Sequence, residues 1–201
     1  MSTVVTAPDG VPRCPWGMES EQMADYRFYH DTEWGRPVHG DDALFERMSL
    51  EAFQSGLSWI TILRRREGFR AAFAGFRIAE VARFTDEDAE RLLVDTAIIR
   101  NRAKISATLS NARVAAELSP GELDALIWSY APTRTGRPAP RTTGDLQPVT
   151  PESTALAKDL KKRGFRFVGP TTAYAMMQAC GLVNDHLAGC HVRAEVEEAA
   201  A

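Results

Sequence analysis

This sequence contains little cysteine. It also lacks a long apolar run and a strong net charge. Its 201 residues include three cysteines, Cys14, Cys180 and Cys190. An odd, low cysteine count does not build a disulfide framework and is typical of chains kept in a reducing compartment. No run reaches the roughly 18 apolar residues of a membrane span, and the first residues lack the pattern of a signal peptide. We therefore expect a cytoplasmic protein without a membrane segment.

The small net charge of −3 excludes a basic field over the whole molecule. Contact with nucleic acid would therefore have to use local basic patches. Such patches occur at residues 64–66, 100–104 and 158–166. Taken singly, each is equally typical of a solvated helix face.

Apolar periodicity predicts helices along most of the chain. Leu44, Met48 and Ala52 recur at four-residue spacing, and a second apolar stripe runs through residues 105–116. Strand signals are few, because the one alternating run, Phe165–Val168, is too short and isolated to build a sheet. The sequence therefore predicts an all-α fold.

The predicted organisation is one helical domain at residues 13–190, between a disordered N-terminal tail at 1–12 and an acidic tail at 191–201. Within the domain, residues 131–149 contain four prolines and two glycines. This composition predicts a long loop that divides the domain into two lobes.

Cysteine and histidine recur at both ends of the predicted domain. Cys14 and His30 lie near its start, and His186 and Cys190 lie four residues apart near its end. Residues four apart share one face of a helical turn and can chelate one ion. Two thiolates and two imidazoles suit a tetrahedral zinc ion.

Other interpretations of these residues remain open on spacing alone. The two cysteines could simply be buried and His186 could lie on the surface, because no CxxC pair sharpens the pattern. His39 and His191 are alternative ligands. Cys180 lies in an apolar segment and is more typical of a core residue.

A polar stripe follows the first predicted helix. Glu51, Gln54, Ser55 and Ser58 are spaced at i, i+3, i+4 and i+7, beside an apolar face. A glutamate close to an apolar face is a candidate for a partly buried functional carboxylate. An ordinary exposed helix glutamate fits the same spacing.

Six longer strings carry a resemblance to a known family. They are Arg13-Cys14-Pro15-Trp16, residues 29–35, Leu50-Glu51, residues 54–61, residues 161–169 and residues 177–186. These strings are similar to the 3-methyladenine DNA glycosylase I family, over roughly residues 13–190. The resemblance implies a helix-hairpin-helix DNA repair fold. It also implies a monofunctional N-glycosylase that releases 3-methyladenine from alkylated double-stranded DNA and leaves an abasic site.

The resemblance further implies roles for individual residues. It implies one structural Zn²⁺ that ties the two chain ends together, with the ligands Cys14, His30, His186 and Cys190. It implies that Glu51 is the catalytic residue that reads the damaged base. The base pocket around Glu51 would be formed by Trp16, Tyr29 and Trp59, with Gln54, Ser58 and Tyr26. Tyr26 and Trp34 could instead serve packing alone.

Contacts with DNA are expected from two further segments. Leu57, after Gly56, could fill the gap left by a flipped base, although a core leucine after a glycine bend fits the same residues. Arg100, Arg102 and Lys104 precede a predicted helix whose first amides could bind a phosphate. This segment lacks the glycine pair usual in helix-hairpin-helix motifs.

Two other classes of protein fit part of the sequence. A zinc-stabilised sensor of DNA distortion would use the same basic segment, but it would leave Glu51 and the aromatic residues without a function. A zinc hydrolase needs an open coordination position, which four protein ligands do not leave. We expect a monomer, because a glycosylase with one active site has no need of a second subunit.

Overall fold

Helices form nearly all the regular structure of this protein, in a computed structural model that describes residues 2–18, 24–133 and 137–199. Its eleven described α-helices are α1 (Ala24–Thr32), α2 (Asp41–Gln54), α3 (Trp59–Leu63), α4 (Arg66–Ala72), α5 (Ile78–Val81), α6 (Asp86–Val94), α7 (Arg102–Ala116), α8 (Glu122–Trp128), α9 (Pro151–Lys162), α10 (Pro170–Ala179) and α11 (Arg193–Glu198). The predicted all-α class is confirmed. None of the described helices is both long and apolar enough to cross a membrane.

Helix α2 lies at the centre and packs against α3, α5, α7, α8 and α10. Leu44, Phe45, Leu50 and Phe53 are fully buried along it. Each such side chain stabilises the fold by about 1.5–3 kcal/mol. Because neighbouring helices surround α2 on several sides, one of its acidic side chains, Glu51, is buried as well.

The second predicted stripe lies on α7. Ile105, Leu109 and Ala112 are buried as predicted, and the stripe ends at Ala115, because Ala116 is exposed. Helix α7 begins after Asn101, whose side chain accepts a hydrogen bond from the amide of Lys104 at 3.1 Å. An asparagine in this position satisfies one of the free amides of a helix start.

The N-terminal segment differs from the predicted disordered tail. Strand β1 (Val5–Thr6) pairs antiparallel with β2 (Pro12–Arg13). In addition, the amide of Ser2 donates to Thr143 Oγ1 at 3.0 Å, and the amide of Thr143 donates to the Ser2 carbonyl at 2.9 Å. The partner of Ser2 lies far away in sequence, so local composition gives no sign of these contacts.

The C-terminal segment also differs from a plain acidic tail. Its helix α11 buries Val196 in a small cluster with Cys14, Leu187, Cys190 and Val192. The outer side of α11 carries the acidic residues, and Glu195 forms an ion pair with Arg36 at 3.0 Å. Residues 200–201 of this predicted tail lie outside the described part of the chain.

The proline-rich loop is fastened at several points. Residues 134–136 of the predicted loop lie outside the described residues. Arg137 forms an ion pair with the buried Asp185 at 3.0 Å, and the carbonyl of Pro140 accepts a hydrogen bond from the amide of Ala188. The described part of the loop therefore follows the segment that contains His186.

Candidate active site

A cavity of about 150 Å³ opens beside the central helix. It is lined by Trp16, Tyr26, Tyr29, Trp34, Glu51, Gln54, Trp59, Ala175 and Gln178. Residues from α1, α2, α3 and α10 thus meet at one site, although they are widely separated in sequence. The structure brings together every predicted pocket residue except Ser58.

Aromatic rings form most of the cavity wall. The ring centroids of Trp16 and Tyr26 lie 5.2 Å apart, and those of Tyr29 and Trp59 lie 5.4 Å apart. Trp34 contacts Trp16 edge to face at 5.0 Å, so it belongs to the wall as well as to the packing. The indole Nε1 of Trp59 is buried and has no hydrogen-bond partner among the described residues.

Glu51 is the one acidic side chain in the wall, and it is only 5% exposed. Its carboxylate makes no hydrogen bond or ion pair with the described residues. Burial raises the pKa of Glu51 to about 8, and the Arg47 guanidinium opposes part of this rise. Burial, followed by the negative charge of Glu51, raises the pKa of Tyr29, so this phenol stays neutral.

The predicted polar stripe does not extend beyond Gln54. Helix α2 ends there, and Ser55 begins a turn, so the helical spacing no longer holds. Ser58 precedes α3, is exposed, and shares a hydrogen bond of 2.8 Å with the hydroxyl of Thr61. Ser58, predicted to line the pocket, is therefore not among the residues that line the cavity.

The turn after α2 presents a leucine at the mouth of the cavity. Gly56 has a φ of 80°, a conformation that favours glycine. Leu57 is 41% exposed, which excludes the alternative of a core leucine. Across a shallow depression, this turn faces Thr171 and Thr172 at the start of α10.

A second cluster, formed by Cys14, His30, His186 and Cys190, is fully buried where the chain ends meet. The Sγ atom of Cys190 lies 3.6 Å from His30 Nε2 and 3.6 Å from His186 Nδ1. Cys14 Sγ lies 3.7 Å from His186 Nδ1. Around a tetrahedral zinc ion, sulfur and nitrogen ligands are spaced roughly 3.3–3.8 Å apart, so the cluster fits such a metal site.

Hydrogen bonds orient both imidazoles toward the cluster. The Nδ1 atom of His30 lies 2.7 Å from Asp31 Oδ1, which leaves Nε2 facing the thiols. The Nε2 atom of His186 lies 3.0 Å from the Trp34 carbonyl, which leaves Nδ1 facing them. The alternative ligands lie outside this set, because His191 contacts Asp31 and His39 stacks on Trp128.

Comparisons with known proteins agree with this geometry. The model of the family described as methyladenine glycosylase matches residues 18–194. This chain belongs to the methyladenine glycosylase family. The family predicted from the sequence is confirmed, and with it the enzyme class of a DNA N-glycosylase.

Individual relatives of this methyladenine glycosylase cover nearly the whole chain. It is 46% identical to DNA-3-methyladenine glycosylase 1 of Escherichia coli (strain K12) over 181 residues, which span 89% of this chain and 95% of that protein. A crystal structure of 3-methyladenine DNA glycosylase I superposes with a TM-score of 0.81 at 45% identity, covering 89% of this chain and 98% of that chain. Another 3-methyladenine DNA glycosylase I, in complex with 3-methyladenine, superposes with a TM-score of 0.79 at 33% identity, covering 90% and 97%.

Among the predicted DNA-binding cations of this glycosylase, Lys104 is not at the surface. It is buried, and its Nζ donates to the carbonyls of Phe53 and Ser55 at 2.8 and 2.6 Å. Its ammonium group therefore binds the C-terminal end of α2 and the turn after it. The C-terminus of a helix favours a positive charge. Arg102 is exposed and paired with Glu90 at 2.7 Å, and Arg100 is exposed.

Two parts of the site are not among the predicted site residues. Ala175 and Gln178 enter the cavity from α10, which reads in sequence as a buried apolar helix. Arg47 lies one turn before Glu51 and is largely buried. Only the spacing of four residues between Arg47 and Glu51 could have indicated that they interact.

We expect Glu51→Gln to stabilise the glycosylase, and more so at higher pH. Because burial raises the pKa of Glu51 from its ordinary 4.5 to about 8, wild-type stability falls as pH rises through this range. The neutral glutamine removes that loss, so the Tm advantage should grow from pH 5 to pH 8 and reach roughly 5 °C. Thermal unfolding over this pH range, with Glu46→Gln on the same helix as control, measures it. An advantage that is constant with pH would contradict the prediction.

Proposed function

We propose that this methyladenine glycosylase binds 3-methyladenine in the cavity around Glu51 and releases it from alkylated double-stranded DNA. The observation that carries the proposal is a buried carboxylate set among aromatic faces, with no hydrogen-bond or ion-pair partner in the described part of the chain. No lysine or arginine is among the residues that line the cavity. A 3-methyladenine nucleotide is a cation, which such a wall attracts through both the carboxylate and the π-faces.

The charge of the lesion supplies much of the leaving-group chemistry. When the glycosidic bond breaks, its electron pair moves onto the base and cancels the positive charge there. The base therefore leaves neutral without being protonated. Water adds to the resulting sugar cation and loses a proton to the solvent, which gives an abasic site. The enzyme contributes the extraction and binding of the base, which costs a few kcal/mol in unstacking.

The cavity walls offer matching contacts for the extracted base. Glu51 can accept a hydrogen bond from the exocyclic amine, and the unpartnered Nε1 of Trp59 can donate one to a ring or water acceptor. A buried donor without a partner costs about 1–3 kcal/mol, so a ligand that satisfies it gains affinity. The rings of Tyr29 and Trp59 flank the same space.

Release of free 3-methyladenine from alkylated duplex DNA tests this function directly. We expect Glu51→Gln to slow release roughly 10- to 100-fold, because it replaces a charged acceptor with a neutral one. Glu46→Gln, on the same helix but paired with Arg70, should leave the rate unchanged. Chromatography of the released bases gives the measurement. Binding of damaged DNA without base release would favour the non-enzymatic sensor instead.

We propose that DNA lies across the face that contains Leu57. The N-termini of two helices meet its turn: α7 through Lys104, and α10 through Thr171 and Thr172. Free amides at such ends favour phosphates. The turn before α10 runs from Gly164 to Gly169, contains Arg166 and lies beside Lys158 and Lys161 of α9. This turn has the glycine pair that residues 97–104 lack, so we assign the helix-hairpin-helix motif to α9 and α10.

Leu57 would then occupy the gap left by the flipped base. We expect Leu57→Ala to slow release from duplex DNA about tenfold, because the apolar side chain no longer offsets the loss of stacking. Release from single-stranded DNA should change little, since no base pair has to open. Val149→Ala, a similarly exposed apolar residue at 37%, is the control. An equal loss on both substrates would argue against a wedge.

We further propose that Cys14, His30, His186 and Cys190 hold one structural Zn²⁺. When bound, the ion cross-links the two chain ends, and its four protein ligands leave no position for an activated water. None of the three cysteines forms a disulfide, which fits a reducing cytoplasm. Nothing in the proposed reaction requires a second subunit, so we keep the prediction of a monomer.

Asp31 should determine how tightly this metal is held. We expect Asp31→Asn to weaken zinc affinity about 10- to 100-fold, because Asp31 orients the His30 ring and makes it a better donor. Asp9→Asn is the matched control, since Asp9 also pairs with Arg13 but does not contact His30. Competition with a chromogenic chelator gives the affinity, and Tm after chelation gives the effect on folding. A variant that lost zinc but kept its Tm would contradict a structural role.

A further inference from the structure

Asp185 is a buried acid that accepts hydrogen bonds from three side chains. Its exposed fraction is 3%. Its Oδ2 atom accepts from the Tyr174 hydroxyl at 2.6 Å and from Gln178 Nε2 at 2.9 Å, and its Oδ1 atom accepts from Arg137 Nη2 at 3.0 Å. The ion pair with Arg137 supplies the opposite charge that a buried carboxylate needs. Of these four residues, only Gln178 borders the cavity.

The carboxylate of Asp185 determines how the amide of Gln178 is turned. The two ends of an amide have nearly the same shape, so their hydrogen bonds decide the orientation. A carboxylate offers only acceptors, and the end that meets Asp185 is therefore the NH₂ group. Tyr174 does not compete for this role, because burial raises the pKa of its phenol to about 12 and the hydroxyl keeps the proton that it donates to Asp185.

The other end of this amide, the Oε1 atom of Gln178, is accessible. It makes no hydrogen bond with the described residues, and it is not one of their buried polar atoms without a partner, so it is open to solvent. Gln178 enters the cavity wall from α10, whereas Glu51 enters it from α2. Because the cavity holds only about 150 Å³, a base that fills it would contact groups from both helices.

We propose that Asp185 presents the Oε1 atom of Gln178 to the cavity, where this acceptor selects a base with an exocyclic amine. The inference rests on the binding of 3-methyladenine proposed above. The amine of that base has two N–H donors, so Glu51 can accept one and Gln178 the other. 3-Methylguanine has a carbonyl at the same ring position, and its oxygen would face Oε1 with no proton between them. Gln178 is thus a specificity-determining residue, and Asp185 is a positioning residue.

The other neutral polar groups of the wall do not make this choice. Gln54 borders the cavity at the end of α2, and its side chain makes no hydrogen bond with the described residues. Its amide can therefore turn either end toward a base. Trp59 Nε1 is a donor and would bind a ring acceptor on either base. Gln178 differs from both, because Asp185 holds its amide in one orientation before a base arrives.

The ratio of the release rates of 3-methyladenine and 3-methylguanine from methylated duplex DNA tests the proposal. Gln178→Met keeps the length of the side chain and removes both polar atoms. We expect it to lower this ratio about tenfold, mainly through slower release of 3-methyladenine. Gln54→Met, the matched control, should change the ratio little. An unchanged ratio in Gln178→Met would overturn the proposal, even if both rates fell.

Asp185→Asn tests the positioning role. The new amide can donate to Gln178 Oε1, so the Gln178 amide can turn over and offer its NH₂ group to the cavity. We expect the ratio to fall at least as far as in Gln178→Met, and to fall no further when both changes are combined. Tyr174→Phe removes the neighbouring hydrogen bond to the same oxygen but leaves Gln178 bound, so it should keep the ratio. A wild-type ratio in Asp185→Asn would overturn the role of Asp185. If this variant does not fold, Gln178→Met decides.

Binding of free bases separates this inference from the proposed function. Quenching of tryptophan fluorescence gives the affinities for 3-methyladenine and for 3-methylhypoxanthine, which has a carbonyl in place of the amine. We expect the wild type to prefer 3-methyladenine, and Gln178→Met to reduce this preference about tenfold. A preference that Gln178→Met leaves intact would overturn the inference. Absence of 3-methyladenine release by the wild type would instead overturn the proposed function, whatever the affinities show.

Discussion

The burial of one carboxylate on the central helix is the constraint on which this molecule depends. Helix α2 is surrounded by other helices, so a glutamate on its inward side is largely shielded from bulk water. Burial of an acid without a hydrogen-bonding partner raises the free energy of the folded state. The apolar contacts of Phe45, Leu50 and Phe53 along the same helix offset this loss. The stability of the core thus offsets the free-energy cost of keeping the Glu51 carboxyl group in the cavity.

The cavity and the cluster of cysteines and histidines share their supporting segments. On α1, Tyr29 faces the cavity while the next residue, His30, faces the thiols. The ring of Trp34 lines the cavity, and its carbonyl meets His186. Fixing the chain ends therefore also fixes three aromatic walls, since Trp16 lies two residues after Cys14. A loss of order in the cluster of cysteines and histidines would therefore also displace aromatic residues of the cavity wall, although the cluster itself does not contact the substrate.

Much of this arrangement was accessible from the sequence. The periodicity of Leu44 and Met48 predicted α2, and the strings around Glu51 and Trp59 predicted the family and most of the cavity. The failures have a common origin. Ser58 was placed on a stripe that continues a helix, but α2 ends at Gln54. Lys104 was assigned to DNA because it lies among other cations, but the carbonyls of Phe53 and Ser55 hold it inside.

The sequence by itself determined the helices, the apolar faces and the chemical types at the site, because these follow from local spacing and residue chemistry. Only the tertiary structure decided which side chains share a space. Gln178 reaches the cavity from a helix more than one hundred residues away from Glu51, and Ser2 meets Thr143. The raised pKa of Glu51 also belongs to the fold, because it comes first from burial among side chains of several helices. These quantities exist only when segments distant in sequence are packed together.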